Sequence, residues 1–247
     1  MSKLYVFGIG GTGSRVLKAL TMLLSSGVEC AADTIVPIII DPDDSAADKT
    51  RAVAAMNRYM SVRSKLDFTA ADQNRFFKTE IRPVDGMENF GFPLKNTRDC
   101  FFKDFIKIDE LNKANRALVS LLFSEKNLDS DMKVGFKGNP NIGSVVLNQF
   151  ANSQEYKDFA NGFQQGDRIF IVSSIFGGTG ASGFPLLLKT IRSYRSSQSW
   201  NLISKSAVGA VTVLPYFSVS QDDNSGVDSS TFASKTKSAL AYYEHNI

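Results

Sequence analysis

Two glycine-rich runs have the composition and spacing that proteins use to bind phosphate groups. Residues 8–13 read GIGGTG, and residues 177–180 read GGTG. Because glycine has no Cβ atom, backbone N–H groups in such runs approach anionic oxygens closely, and a following helix N-terminus adds about half a positive charge. The first run fits the G-x-G-x-x-G pattern of dinucleotide-binding loops, although a tight turn without a ligand also fits it.

The second run makes a polyphosphate the predicted ligand, because it would bring a further set of amides and the Thr179 hydroxyl to the same edge of a sheet. The sequence contains no G-x-x-x-x-G-K-[ST] run. Backbone amides and helix ends, rather than a P-loop lysine, are therefore predicted to hold the phosphates.

Each glycine run is predicted to join a buried strand to a helix. Strands are expected at 3–7, 36–40, 168–175 and 207–214, and helices from 14 to about 27, at 181–194 and at 232–244. Pro185 is expected in the first turn of its helix, where proline is tolerated. The alternation predicts an α/β fold with a doubly wound, mostly parallel Rossmann-like sheet, helices on both faces and ligands at the carboxyl ends of the strands.

The chain of 247 residues is predicted to form one domain, 1–247, with a largely helical insertion at about 45–132. Apolar residues recur in the insertion at helical intervals and are expected to pack in a core. They are Phe101, Phe105, Ile108, Leu111, Leu118 and Leu122.

Composition excludes several kinds of site. One histidine, His245, and two distant cysteines, Cys30 and Cys100, argue against Ser-His-Asp, Cys-His and zinc chemistry and fit a reducing cytoplasm. A net charge of +3 does not indicate a nucleic-acid or anionic-membrane partner. No segment approaches the roughly 18 apolar residues of a membrane span, so a cytoplasmic location without direct membrane contact is predicted.

The ordered motifs resemble those of the tubulin/FtsZ superfamily. Residues 176–185, FGGTGASGFP, are similar to the FtsZ stretch GGGTGTGAAP. Residues 138–143, GNPNIG, resemble the GNPEVG of the loop that closes on the terminal phosphate, and residues 208–212, VGAVT, resemble the VGVVT strand. Asp41-Pro42-Asp43 stands where FtsZ has NTD.

The resemblance implies a GTP- or GDP-binding domain that forms head-to-tail homo-oligomers or filaments and whose GTPase activity needs groups from a neighbouring subunit. No catalytic residue is assigned in this chain. Mg²⁺ is an expected cofactor, and Asp43, with Asp41, is a candidate for organising the hydrated ion, although the acidic turn could equally cap a helix. The predicted nucleotide-binding residues are Gly8, Gly10, Gly11, Thr12, Gly13, Arg15, Asp41, Asp43, Gly138, Asn139, Gly177, Gly178, Thr179 and Gly180.

Two departures from the family pattern set further expectations. Arg15 occupies the position of an asparagine common in FtsZ and could pair with phosphate in a bidentate manner. The family's long central helix and acidic loop are not identifiable after Glu244. The chain is therefore expected to lack the C-terminal part and to hydrolyse GTP slowly, if at all, as an isolated chain.

Other classes remain open at this point. GIGGTGSR followed by VPIIIDPD also resembles the ThiF-type adenylating fold, and Asp41 could read a ribose in a nicotinamide-dependent oxidoreductase. Neither alternative accounts for residues 177–183 or 138–143. A non-hydrolysing, nucleotide-stabilised scaffold cannot be separated from a GTPase by the sequence.

Overall fold

A parallel sheet forms the centre of the fold. The computed structural model describes residues 2–68, 74–95, 97, 100–132, 135–195, 200–216 and 229–247. Within those ranges the sheet has five strands in the order β3-β2-β1-β4-β5, and each neighbouring pair is parallel. This confirms the predicted fold class. The strands are β1 (Lys3–Ile9), β2 (Thr34–Ile40), β3 (Glu80–Ile81), β4 (Arg168–Ser174) and β5 (Val208–Val213).

Helices cover both faces of the sheet, as predicted. On one face, α1 and α2 pack against the sheet through a cluster that contains Leu17, Leu24 and Met56; on the other, α6, α7 and α8 pack against aromatic residues of β1. The α-helices are α1 (Gly10–Ser25), α2 (Ala47–Arg63), α3 (Phe102–Phe105), α4 (Lys113–Leu122), α5 (Glu125–Leu128), α6 (Pro140–Leu147), α7 (Gln154–Gly162), α8 (Gly178–Ser193), α9 (Trp200–Ser204) and α10 (Phe232–Asn246).

Helices α1 and α8 begin earlier than the sequence predicts. The glycines expected in loops before these helices instead form their first turns, from Gly10 and Gly178. In α1 the early start requires glycine at position 13. A Cβ atom there would clash with the backbone of Gly8, and glycine has none. The first turn of α1 therefore lies directly on the end of β1.

Pro185 is inside α8, not in its first turn, so the predicted position of this proline is wrong. A proline here provides no N–H group for the carbonyl four residues earlier, that of Ala181. The Tyr243 hydroxyl donates to that carbonyl oxygen at 2.9 Å. A side chain of α10 thus supplies the hydrogen bond that the backbone of α8 lacks.

The region 45–132 contains elements of two kinds. Helix α2 packs on α1, and β3 pairs with β2, so both belong to the layers of the sheet. Helix α4 is amphipathic, but none of its side chains is buried by the described residues. Phe101, Leu118 and Leu122 are 48%, 54% and 60% exposed, so their predicted core packing is wrong. No side chain of α4 is buried by another described element.

Candidate nucleotide-binding site

The two glycine runs meet at the carboxyl ends of neighbouring strands. Strand β1 pairs with β4, and α1 and α8 start directly beyond these strands. Gly10 has a φ of +69°, which favours glycine, and a Cβ atom built on it would lie 3.5 Å from the Cβ of Thr179. The same point lies 4.0 Å from the backbone nitrogen of Gly180. The first turns of α1 and α8 are therefore in direct contact.

A third segment, just before α6, contacts the second glycine run. A Cβ atom at Gly178 would lie 3.1 Å from the backbone nitrogen of Asn139 and 3.3 Å from that of Gly138. Gly138 has a φ of +74°, and the Asn139 N–H donates to the Phe136 carbonyl oxygen at 2.8 Å, which closes the turn. The structure thus brings Gly138 and Asn139 beside Gly178.

The three helix N-termini at this place share an electrostatic property. No side chain caps α1, α6 or α8, and none of their first turns contains an acidic residue. Side-chain oxygens of Asn112, Ser124 and Ser153 cap α4, α5 and α7, whereas α10 resembles α1, α6 and α8 in having neither a side-chain cap nor an acidic first turn. First-turn N–H groups have no partner within their own helix and carry the positive end of the dipole. The arrangement of α1, α6 and α8 therefore suits an anion.

The acidic turn after β2 is largely occupied with its own hydrogen bonds. Asp41 is buried, its Oδ1 accepts from the Asp43 N–H at 3.1 Å, and burial raises its pKa to about 6. Asp43 Oδ1 accepts from the backbone N–H and the hydroxyl of Ser45 at 2.9 and 2.7 Å. Pro42 approaches the third segment, since its Cγ lies 3.8 Å from a Cβ built on Gly135.

This turn does not form a metal site from protein ligands alone. Across the described residues, no group of three or more histidine, cysteine or acidic side chains could hold a metal ion. Asp43 forms a local turn with Ser45 and does not cap α2, because the N-cap residue of α2 is Ala46 and no side chain caps that helix. A Mg²⁺ ion here would need oxygen ligands from phosphate and water in addition to a carboxylate.

The Arg15 side chain contacts α2 and the segment after β5. Its Nε donates to Asp48 Oδ2 at 2.6 Å, and its Nη1 donates to the Tyr216 hydroxyl oxygen at 2.8 Å. Asp48 also accepts from Arg51 at 2.8 Å. Although burial opposes the shift, the hydrogen bonds from Arg51 and Arg15 lower the pKa of Asp48 overall. In this structure, then, Arg15 contacts a carboxylate rather than the predicted phosphate position.

Two residues at the site were missed by the sequence analysis. A Cβ atom at Gly11 would lie 3.4 Å from Asp48 Oδ2, and one at Gly138 would lie 3.1 Å from Lys235 Nζ. Lys235 thus supplies a cation to the third segment from α10, although the chain has no P-loop lysine. No local motif marks either residue, because each reaches the site from a helix distant in sequence.

Comparisons with known proteins return structures but no sequence family. No family model matches the chain, and no curated protein matches it. Solved structures that match include FtsZ from M. jannaschii (W319Y mutant), with 16% identity, a TM-score of 0.45 and coverage of 99% of this chain and 44% of that one. CetZ from Methanosaeta thermophila has 15% identity and a TM-score of 0.47, covering 100% of this chain and 44% of that one.

A third match is a GTPγS-bound protofilament of CetZ2 from Haloferax volcanii, with 12% identity, a TM-score of 0.38 and coverage of 98% and 58%. FtsZ and CetZ structures are among the matches, which confirms the predicted resemblance to FtsZ. The chain spans less than three-fifths of each of these three chains. Separately, no helix among the described residues has both the length and the apolar composition to cross a membrane.

Proposed function

We propose that the chain binds GTP and GDP, with the phosphates at the joined N-termini of α1, α6 and α8. The observation that carries this proposal is that three uncapped helix N-termini, free of acidic residues, meet at one point. Helices α1 and α8 offer first-turn N–H groups, and α6, whose first residue Pro140 has none, offers those of Asn141 and Ile142. Together they match the several charges of a polyphosphate better than a single phosphate. Lys235, beside Gly138, adds a cation where the terminal phosphate would lie.

The preference for guanine rests on the motif resemblance alone, chiefly GNPNIG and VGAVT. Thr12 and the Thr179 hydroxyl are the side chains within the glycine runs that we assign to the phosphates. Mg²⁺, when bound, would neutralise phosphate charge. We assign Asp43, with Asp41, to its outer coordination through water, because the Asp43 carboxylate already accepts hydrogen bonds from Ser45.

We further propose that isolated copies hydrolyse GTP slowly and that activity depends on head-to-tail self-association. Hydrolysis of a terminal phosphate requires a positioned water and charge stabilisation. Around the glycine runs, the described residues offer amides, hydroxyls and cations, whereas the nearest carboxylate, Asp48, is held by Arg15 and Arg51. A heterologous contact between copies could supply the missing group. The domain assignment, 1–247 with the insertion at 45–132, and a cytoplasmic location belong to the same proposal.

A titration with a fluorescent methylanthraniloyl-GTP, competed with GTP, GDP, ATP and NAD, tests the binding proposal. We expect saturable binding, competition by GTP and GDP, and at least about tenfold weaker competition by ATP and NAD. Competition by ATP or NAD as strong as that by GTP would instead favour the adenylating or oxidoreductase class.

Glycine substitutions provide the matched variants for that titration. Gly11→Ala adds a methyl group inside the site with room for it in the fold, since its nearest neighbour is the Asp48 side chain at 3.4 Å. Gly162→Ala adds one near the amino end of β1, 3.5 Å from the Tyr5 hydroxyl oxygen. We expect about tenfold weaker binding for Gly11→Ala and unchanged binding for Gly162→Ala. Equal affinities in both variants would place the ligand elsewhere.

Sedimentation velocity with and without GTP tests self-association, and phosphate release at increasing protein concentration tests its link to turnover. Turnover per chain should rise with concentration. Nucleotide-dependent assembly without turnover at any concentration would favour the non-hydrolysing scaffold, and rapid turnover in a monomer would contradict the need for a neighbouring subunit.

A further inference from the structure

A second pocket lies between α6, α8 and α10. None of the nucleotide-binding residues predicted from the sequence lines it, but Lys235, which lies beside Gly138, does. Its volume is about 490 Å³, within the range of small-molecule sites. Its lining is mainly apolar and includes Pro185, Leu186 and Ala239. We call it the three-helix pocket.

One face of α10 forms the longest wall of the three-helix pocket. Lys235, Ser238, Ala239 and Tyr242 line it at helical intervals, so they project from the same side of α10. Lys235 and Tyr242 are separated by about 10 Å along the helix axis, at 1.5 Å per residue. The wall therefore has a cation near one end, an aromatic ring near the other and small residues between them.

Among the described residues, the charged side chains that line the three-helix pocket all have the same sign. Its described lining contains Lys189 and Lys235 but no carboxylate, and neither ammonium group forms an ion pair with a described residue. Lys189 Nζ lies 5.7 Å from the ring centroid of Tyr242. A cation thus stands at each end of an apolar cavity.

We propose that the three-helix pocket binds a small amphipathic organic anion, in which a flat or aliphatic body no longer than about 10 Å carries a carboxylate, sulfonate or phosphate group. The apolar body would cover Pro185, Leu186 and Ala239, and the anionic group would pair with Lys189 or Lys235. Ser144 and Ser238 provide hydroxyls along the walls. Because Lys235 is also assigned to the proposed GTP site, the inference is independent of GTP binding through Lys189.

The test uses 8-anilino-1-naphthalenesulfonate as a fluorescent probe and two non-fluorescent competitors of nearly the same shape, 1-naphthoate and 1-naphthamide. We expect saturable fluorescence that the anionic competitor displaces at least about tenfold more effectively than the neutral one. Equal displacement by the two competitors would overturn the assignment of an anion site.

Two exposed serines provide a matched pair of variants. Ser144, in the pocket, donates to the Pro140 carbonyl oxygen, and Ser193, at the far end of α8, donates to that of Lys189. Ser144→Trp should fill the pocket and weaken the displaceable binding about tenfold, whereas Ser193→Trp should leave it unchanged. Equal binding in both variants would place the probe elsewhere, for example on the exposed leucines of α4.

Lys189→Met keeps an unbranched side chain one atom shorter, removes its charge and does not depend on whether Ser144→Trp folds. Because the side chain is exposed, we expect a loss of roughly three- to fivefold in affinity for 1-naphthoate and none for 1-naphthamide. An unchanged preference for the anion in both Lys189→Met and Lys235→Met would exclude the lysines as its partners.

Discussion

The two glycine runs lie in contact at one site, but different parts of the molecule hold them in place. In the first, Gly13 packs on the backbone of Gly8, so the strand end and first helical turn support each other locally. In the second, Gly178 packs on the segment before α6, and α8 depends on Tyr243 of α10 for a hydrogen bond. Gly13 of the first run thus packs on a neighbouring residue of the chain, whereas Gly178 of the second run packs on residues distant in sequence.

The largest expected effect distinguishes two glycines of the first run. In Gly13→Ala the new methyl group would clash with the Gly8 backbone, and we expect a loss of at least about 3 kcal/mol in the free energy of unfolding. Gly11→Ala meets only a side-chain oxygen at 3.4 Å and should cost less than about 1 kcal/mol. Urea denaturation measures both. Equal losses would mean that the first run is not organised by contact between Gly8 and Gly13.

The acidic turn beside the first run should produce a pH dependence of stability. Because the folded protein raises the pKa of Asp41 from 3.8 to about 6, it binds more protons than the unfolded chain between these values. The contribution of Asp41 to the free energy of unfolding should therefore fall as pH rises from about 4 to about 6, by on the order of 2–3 kcal/mol.

The difference between wild type and Asp41→Asn in urea denaturation with a chelator present isolates this contribution, since other titrating groups are common to both proteins. A difference that stays constant with pH would show that Asp41 titrates normally in the folded protein.

The second run should be sensitive to α10. Tyr243→Phe leaves the Ala181 carbonyl without the hydroxyl donor and should reduce the free energy of unfolding by about 1–2 kcal/mol. Tyr242→Phe, at a ring that is 46% exposed, is the control and should change it by less than about 0.5 kcal/mol. If the two variants behave alike in thermal denaturation, the hydroxyl of Tyr243 does not compensate for Pro185.

The smallest expected effect on stability concerns Arg15, whose side chain is 52% exposed. Arg15→Ala should change the free energy of unfolding by less than about 1 kcal/mol, because exposed ion pairs contribute little. If the guanidinium turns from Asp48 to phosphate when nucleotide binds, Arg15→Lys should also weaken GTP binding, since lysine cannot form a bidentate pair. Unchanged affinity in both variants would confine Arg15 to its contacts with Asp48 and Tyr216.

The sequence predicted the parallel sheet because strand, glycine run and helix succeed one another twice, and this order has few alternatives. It did not predict where α1 and α8 begin, because whether a glycine starts a helix depends on backbone contacts such as that between Gly8 and Gly13. The short edge strand β3 has too few residues for a periodic pattern. The helical periodicity of α4 correctly predicted an apolar face, but periodicity does not predict which element packs on that face.

The same distinction applies to the site. Residues within the glycine runs could be predicted because their spacing is local, and the structure brings Gly10 to Thr179 and Gly138 to Gly178. Asp48 and Lys235 could not, because their positions follow from the packing of α2 on α1 and of α10 near α6. The direction of Arg15 also depends on Asp48, which is 33 residues away in the chain.

The hydrogen bond from Tyr243 to Ala181 links α10 to α8 through two residues that are 62 positions apart in the chain. When α10 detaches, α8 loses the donor for that carbonyl at the position where Pro185 has already interrupted its hydrogen-bond ladder. Native-state hydrogen exchange should therefore show the amides of the first half of α8 and those of α10 opening together, with a common free energy. In Tyr243→Phe, amides on both helices should exchange faster by similar factors, while those of α1 keep their protection.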